Sequence, residues 1–338
     1  MKNLRIFATA LVLMLLTFAC QDNFEVAPGP EALTFEQGEI ALPNQKGEVI
    51  EAYYLGNLVS LEMIDGQYIY QSDIAIPESQ LSFIAPPEAT LSTESVGRTG
   101  GRWANNTVYY QIDSSLPNQQ RVTDAIAHWE ANTSLRFFVR TSQTDYIVFR
   151  PSSGCSSSLG RVGGRQYINL ASGCSTGNTI HEIGHAVGLY HEQSRADRDN
   201  YIDILFENVQ SGAQGNFYTY VQTGSDGQDL TNDLDLGSIM MYGSFFFSKN
   251  GQPTITRLNG TTFEVQRNAL SADDIAGIDI MYPGNGGGGG QQYINGQYYT
   301  IDGLRVYRYN DRWYWYGNGR NGTQWYEVVN QNGSWYYA

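Results

Sequence analysis

Residues 181–199 read HEIGHAVGLYHEQSRADRD. The first eleven place histidines at 181, 185 and 191, at spacings of four and then six. Four residues make about one turn of α-helix, so a helix over Thr179 to Gly188 puts His181 and His185 on one face, about 6 Å apart, where both imidazoles can grip one cation. Gly188 supplies a positive-φ position that stops the helix, and the returning chain delivers His191 as a third ligand. Three neutral nitrogens with a fourth position open to water are the ligand set of a catalytic zinc, whereas four thiolates would signal a structural one. Glu182 is not spaced as a ligand, but it sits beside that open position, where its carboxylate can take a proton from water. An amphipathic helix with incidental histidines is the competing reading. It fits poorly, because the whole chain has four histidines and three stand in this pattern.

The extended form HExxHxxGxxH requires a methionine-containing turn downstream. Residues 238–243 read SIMMYG. Together with the HEQSRADRD continuation and the upstream run AIAHWEANTSLRFF at 125–138, this turn makes the chain resemble the astacin family of zinc endopeptidases. The resemblance implies an α+β fold: a two-lobed metzincin catalytic domain with a mixed-sheet upper lobe and an irregular lower lobe. It implies one zinc on His181, His185 and His191, with Glu182 as general base. It also implies Met240 packed beneath the metal, and Tyr242 as a phenol that ligates zinc at rest and then swings to the oxyanion. Met241 departs from the histidine usual in this turn, at a position that is not a ligand. Glu192 matches the residue that anchors the newly cut amino terminus in mature family members; read alone it is a surface carboxylate.

Upstream of the motif, the pattern predicts a strand over Val108 to Ile112, a helix over Gln119 to Thr133, and strands over Leu135 to Arg140 and Tyr146 to Arg150. That order fits a mixed sheet above a cleft. His128, the histidine outside the motif, reads as a helix-packing or surface residue. The chain has three cysteines. With Cys20 set aside, Cys155 and Cys174 close a loop of about twenty residues, worth roughly 3 kcal/mol in the loop-entropy model. The resemblance implies the same bridge, through GCSSSLGRVGGRQYINLASGC at 154–174. Ser134 stands where the family commonly carries a cysteine of a second bridge.

Lys2 and Arg5 precede an apolar run from Ile6 to Phe18, too short for a spanning helix, so residues 1–19 read as an export signal. The ending Thr17-Phe18-Ala19-Cys20 resembles a bacterial lipoprotein cleavage site, with Cys20 carrying lipid; plain secretion is the alternative. Residues 20–98 read as a propeptide or tether. Alternating apolar residues predict a strand or extended segment over Tyr68 to Ile76, and Tyr70-Gln71-Ser72-Asp73 within it resembles the aromatic-x-Gly-Asp motif whose aspartate blocks zinc in astacin zymogens, with Ser72 in place of glycine. Asp73 is then either the blocking ligand or a solvated strand residue. Arg98, before Thr99-Gly100-Gly101, reads as an exposed activation site.

The protease-like domain spans 99–283. Periodicity thins between Asp203 and Gly237, and Ser271 is placed to cap a helix running to Met281, with Asp273 and Asp274 in its first turn. Residues 284–290 are a glycine linker. Residues 291–338 alternate aromatics with Asn-Gly turns and predict a small antiparallel β module. Its aromatics either build its own core or present a face to a glycan or other polymer. A net charge of −14 with no basic cluster argues against nucleic acid, and contact with a membrane is expected only through a lipid on Cys20.

The whole reads as an exported zinc endopeptidase acting on protein or peptide substrates and made as a zymogen, lipid-anchored at the cell surface or outer membrane, or secreted. Two rivals stand beside it: a non-catalytic surface adhesin or glycan-binding lipoprotein, and a metallo-amidase directed at peptidoglycan.

Overall fold

The computed structural model describes residues 38–85, 97–98, 100–283, 298–301, 304–309, 312–319, 322–331 and 334–337. The export signal, Cys20 and the glycine linker lie outside the described residues.

Five short strands come first: β1 (Glu48–Tyr54), β2 (Asn57–Ile64), β3 (Gln67–Tyr70), β4 (Ile74–Ile76) and β5 (Leu81–Ser82). Two-residue turns at Leu55–Gly56 and Asp65–Gly66, with positive φ at all four positions, join β1 to β2 and β2 to β3 in antiparallel register, as tight hairpins require. The strand expected over Tyr68 to Ile76 is not continuous. It breaks at Gln71 and Ser72, which adopt φ of 47° and 72°, so the chain turns on Asp73 and returns as β4. Left-handed backbone in two non-glycine residues carries no alternation signal that a sequence pattern could report.

The next stretch holds β6 (Thr107–Ile112), α1 (Gln120–Asn132), β7 (Arg136–Val139), β8 (Tyr146–Pro151), β9 (Cys155–Ser157) and β10 (Arg165–Leu170), and then α2 (Thr176–Val187). The expected strands and both helices are present, with bounds within three residues of the sequence reading. Strands β6, β7, β8 and β10 run parallel and β9 runs antiparallel beside β10. The five N-terminal strands continue this sheet at its β9 edge through a parallel pairing of Ile74 with Ser157, giving ten strands in the order β5-β1-β2-β3-β4-β9-β10-β8-β6-β7.

α1 buries Val122, Ala125, Ile126 and Trp129, a stripe at helical spacing, in one cluster with Ile180, Ile183 and Val187 of α2 and Ile147, Phe149, Ile168 and Leu170 of the sheet. Single donors from distant parts of the chain take backbone carbonyls of α2. Trp129 Nε1 donates to Ile180 O at 3.1 Å, Trp103 Nε1 to Ala186 O at 2.8 Å and the Tyr282 hydroxyl to Val187 O at 2.8 Å. The last two satisfy carbonyls that a helix end leaves without intrahelical partners.

Beyond α2 the chain to residue 283 is mostly turns and irregular backbone with a few short 3-10 pieces, together with β11 (Ile202–Ile204) paired to β12 (Ile255–Arg257), a single turn α3 (Tyr220–Thr223), and α4 (Ala272–Met281). α4 is capped by Ser271 through a capping box with Asp274. Cys155 and Cys174 are disulfide-bonded, with Cα atoms 6.2 Å apart. Ser134 donates through its hydroxyl to the Tyr282 carbonyl and accepts from Asn106 Nδ2 at 3.1 Å, and Asn106 also reaches Pro283 O at 3.0 Å. A hydrogen-bonded knot stands at Ser134, where the family commonly carries a cysteine of a second bridge.

The C-terminal residues form a separate antiparallel meander of β13 (Tyr298–Ile301), β14 (Leu304–Tyr309), β15 (Arg312–Gly319), β16 (Gly322–Gln331) and β17 (Ser334–Tyr337). Val306, Tyr326 and Val328, with Trp313, Trp315, Trp335 and Tyr337 packed on them, make one face its core. Tyr316, Trp325 and Tyr336 are exposed. Among the described residues no helix is long and apolar enough to cross a membrane.

Candidate metal centre

α2 begins at Ser175, whose side chain accepts from the Asn178 backbone N–H while the Asn178 side chain accepts from the Ser175 N–H. It ends at Gly188, at φ 108°, a conformation that suits glycine because a Cβ there is strained. The chain turns at that residue, and His191 comes back to face His181 and His185. The three rings have centroids 4.7, 5.4 and 4.7 Å apart, and all three side chains are buried.

Each imidazole is oriented by an acceptor on Nδ1. For His181 it is the Ile239 carbonyl at 2.8 Å, for His185 the Leu189 carbonyl at 2.7 Å, and for His191 the Gln71 Oε1 at 3.4 Å. Carbonyl oxygens only accept, so Nδ1 carries a proton and Nε2 is the ring nitrogen turned inward. Burial pushes His191 down to about 4, against the opposing pull of Asp73, which keeps its ring neutral. The inward lone pairs meet a carboxylate. Asp73 Oδ2 lies 3.4 Å from His181 Nε2 and 3.1 Å from His191 Nε2, and Oδ1 lies 3.5 Å from His185 Nε2.

These four residues form a group whose ligating atoms all lie within 4.8 Å of one another. His181 Nε2, His185 Nε2 and Asp73 Oδ1 are buried without a hydrogen-bond partner. Electron pairs brought together in this way repel unless a cation lies among them, and nitrogen and oxygen donors in this number suit zinc. Glu182 is fully buried beside them, and both its carboxylate oxygens also lack a partner. Burial first, and then the charges of Asp73 and Glu39, push its proton affinity well above the ordinary carboxylate value.

The Ser-Ile-Met-Met-Tyr-Gly turn supports the centre from below. A Cβ on Gly184 would meet the Met240 sulfur at 2.7 Å, so the glycine between the two helix histidines lets this turn pack close. The turn is fixed by a residue whose role the sequence did not reveal. Buried Asp274, at the start of α4, accepts from Ser238 Oγ at 2.6 Å, from the Ile239 N–H at 2.9 Å and from the Ser271 N–H at 2.8 Å. Ile239 in turn presents its carbonyl to His181. Sequence reading had credited Asp274 only with a favourable charge in a first helical turn.

Tyr242 lies against the centre, its ring centroid 4.5 Å from that of His191. Its hydroxyl donates to the Gln71 carbonyl at 2.9 Å and lies 2.9 Å from Ser72 Oγ. Glu192 is buried. Its Oε1 accepts from the Asp235 N–H at 3.0 Å and lies 3.8 Å from Arg195, and burial pushes it up to about 8 despite both contacts. His128 packs as expected, its Nε2 accepting from the Leu270 N–H at 3.0 Å.

One expectation fails. Arg98, read as an exposed activation site, is 4% exposed. Its backbone N–H donates to Gly188 O at 2.9 Å, Nη1 donates to Leu159 O at 2.9 Å, and Nε pairs with Asp226 at 3.4 Å. A basic residue before a glycine pair looks exposed in sequence, and only the tertiary packing reveals partners so far along the chain. Sequence reading also missed Glu39 and Arg267, which form an ion pair at 2.6 Å; two residues so widely separated leave no local signal.

The model of the Astacin peptidase family matches residues 95–283. Blastula protease 10 of Paracentrotus lividus is 40% identical over 235 residues, which cover 63% of this chain and 38% of that one. Flavastacin of Elizabethkingia meningoseptica is 35% identical over 260 residues, covering 67% of this chain and 56% of that one. Among solved structures, the chain is similar to high choriolytic enzyme 1 of the medaka Oryzias latipes, a hatching enzyme zinc-protease. The TM-score is 0.50 at 33% identity, covering 54% of this chain and 93% of that one. The chain spans less than two fifths of the length of the first curated relatives it matches.

Proposed function

The chain belongs to the astacin family of peptidases, and on that premise we propose that it is an exported zinc endopeptidase that hydrolyses peptide bonds in protein substrates and is made in a self-blocked form. The observation that carries this reading is the convergence of three Nε2 lone pairs and the Asp73 carboxylate beside an unpartnered Glu182.

His181, His185 and His191 would hold the zinc, which supplies Lewis acidity to polarise the scissile carbonyl and to activate water. Glu182 accepts the proton of the attacking water and passes it to the leaving amine. Burial is the larger cause of its raised proton affinity; with residues 38–85 gone, two of the charges that add to it, Asp73 and Glu39, leave with them, which favours the ionised base. The Tyr242 hydroxyl, released from Gln71 and Ser72, donates toward the oxygen that gains charge as water adds. The carbonyls of Ile239 and Leu189 keep two of the histidine lone pairs aimed inward.

In the uncut chain Asp73 takes the position that substrate and water need. The cut that frees it belongs N-terminal to Gly97, because Gly97 and Arg98 are already bound into the body by Gly97 N–H to Gln228 O at 3.1 Å and by the Arg98 contacts. Gly97 abuts Leu230, which also lines a small cavity beside Glu192. A new amino terminus made close upstream could therefore pair with that carboxylate. The exposed aromatics of residues 298–337 support a polymer-binding role for that module, and a lipid on Cys20 would fix the enzyme to a membrane.

Zinc content near one per chain, and cleavage of an unfolded protein that stops on chelation and returns with zinc, test the reading. Release of material from cell-wall polymer without any proteolysis would replace it with the amidase alternative.

A further inference from the structure

Asp73 is not the only carboxylate that the N-terminal segment buries in the catalytic body. Glu39 is 4% exposed. Its Oε1 accepts from Arg267 Nε at 2.6 Å and its Oε2 from Arg267 Nη2 at 3.0 Å, the two-point geometry that makes guanidinium–carboxylate pairs strong. Oε1 also accepts from Asn178 Nδ2 at 2.8 Å. The receiving groups are built into the catalytic body. Asn178 is fixed by the capping box of α2. Arg267 is held by donating from Nη1 to Gln266 O at 2.9 Å and from Nη2 to Met241 O at 3.1 Å.

The stretch that carries Glu39 is also tied to the turn that carries Asp73. Ser72 Oγ donates to Glu39 O at 2.9 Å, and the Ala41 N–H donates to Ser72 O at 2.9 Å. Beside them the Cys155 N–H donates to Ile40 O at 3.1 Å.

We propose that Arg267 and Asn178 form a carboxylate-binding site whose occupant in the uncut chain is Glu39, so that the N-terminal segment is held at two points, one at the metal centre and one independent of it. The proposal deepens the self-blocked reading and rests on it. A buried pair that loses one partner leaves an uncompensated charge, so such a contact resists dissociation. A cut before Gly97 therefore does not open the cleft by itself. The severed segment stays docked until it is displaced or digested, and removal of the metal undoes one of its two attachments.

The test uses the full chain with a specific protease site placed within residues 86–96, cut after purification and then stripped of metal with a chelator. Size-exclusion chromatography follows how fast the severed segment leaves. The wild-type chain is expected to retain it, and Glu39→Gln to release it at least about tenfold faster. Glu39→Asp, which keeps the charge but shortens the side chain, is expected to fall between them, and it stands in if Glu39→Gln does not fold. Release from these variants at the wild-type rate would overturn the proposal. Peptidase activity of the uncut, zinc-loaded chain is read separately: activity equal to that of the trimmed enzyme would sink the self-blocked reading, while the release rates would still report on Glu39.

Discussion

The Tyr242 hydroxyl donates to the backbone carbonyl of Gln71 at 2.9 Å, two residues before the aspartate that faces the histidines. One turn therefore occupies both the metal centre and the phenol beside it. In the trimmed enzyme, Tyr242→Phe is expected to lower kcat more than it raises KM, because the hydroxyl is asked to act mainly in the transition state. A rise in KM with kcat unchanged would make Tyr242 a substrate-binding group instead.

Glu182→Gln in the trimmed enzyme should keep close to one zinc per chain by elemental analysis. Its turnover should drop by about 10² to 10⁴, the usual cost of losing a general base. Near-normal proteolysis by this variant would remove Glu182 from the mechanism.

For the uncut chain, Asp73→Ala should raise peptidase activity or bring on premature processing, since the carboxylate that faces all three histidines is gone. If the uncut wild-type chain already cleaves peptides as fast as the trimmed enzyme, residues 20–98 are a spacer and not an inhibitor.

Asp274 holds the N–H of Ile239, the residue whose carbonyl orients His181. Asp274→Asn should weaken zinc retention by about tenfold in competition with a chelator, as loss of a group supporting a metal ligand generally does. Unchanged retention would reduce Asp274 to a helix cap.

A pH dependence follows from Glu39. Burial and the Asp73 charge oppose its ionisation, but the Arg267 guanidinium, paired with it at two points, holds it well below its ordinary value of 4.5. A carboxyl depressed in the folded state stabilises that state above its unfolded value and loses the contribution as pH falls toward the folded one. The gap in thermal midpoint between the uncut wild type and Glu39→Gln should therefore be constant from about pH 8 to 5.5 and close only in stronger acid. A gap that closed between pH 8 and 6 would mean that Glu39 is not held as an ion pair.

Where chemistry lies close together in sequence, it was legible. Gly188 marks the C-terminal end of α2 and Ser271 the start of α4, while the Ser175 cap, upstream of the helix start expected at Thr179, went unread; the Ser-Ile-Met-Met-Tyr-Gly turn marks Met240. What stayed hidden depends on backbone that pattern does not encode or on partners far along the chain. Gln71 and Ser72 turn a strand into a hairpin by adopting left-handed φ. Arg98 is buried by Leu159 and Asp226, and the separation of Glu39 from Arg267 is 228 positions.

The knot of Ser134, Asn106 and Tyr282 gives this chain an uneven response to its chemical surroundings. Among the described residues its covalent cross-link is the Cys155–Cys174 bridge, just before α2. Thiol reductants act there. At Ser134 the tie to the end of α4 is a hydrogen bond, blind to redox potential and open to competition from water and denaturant. The two ties therefore yield to different agents, and a reducing environment leaves the closure at Ser134 intact.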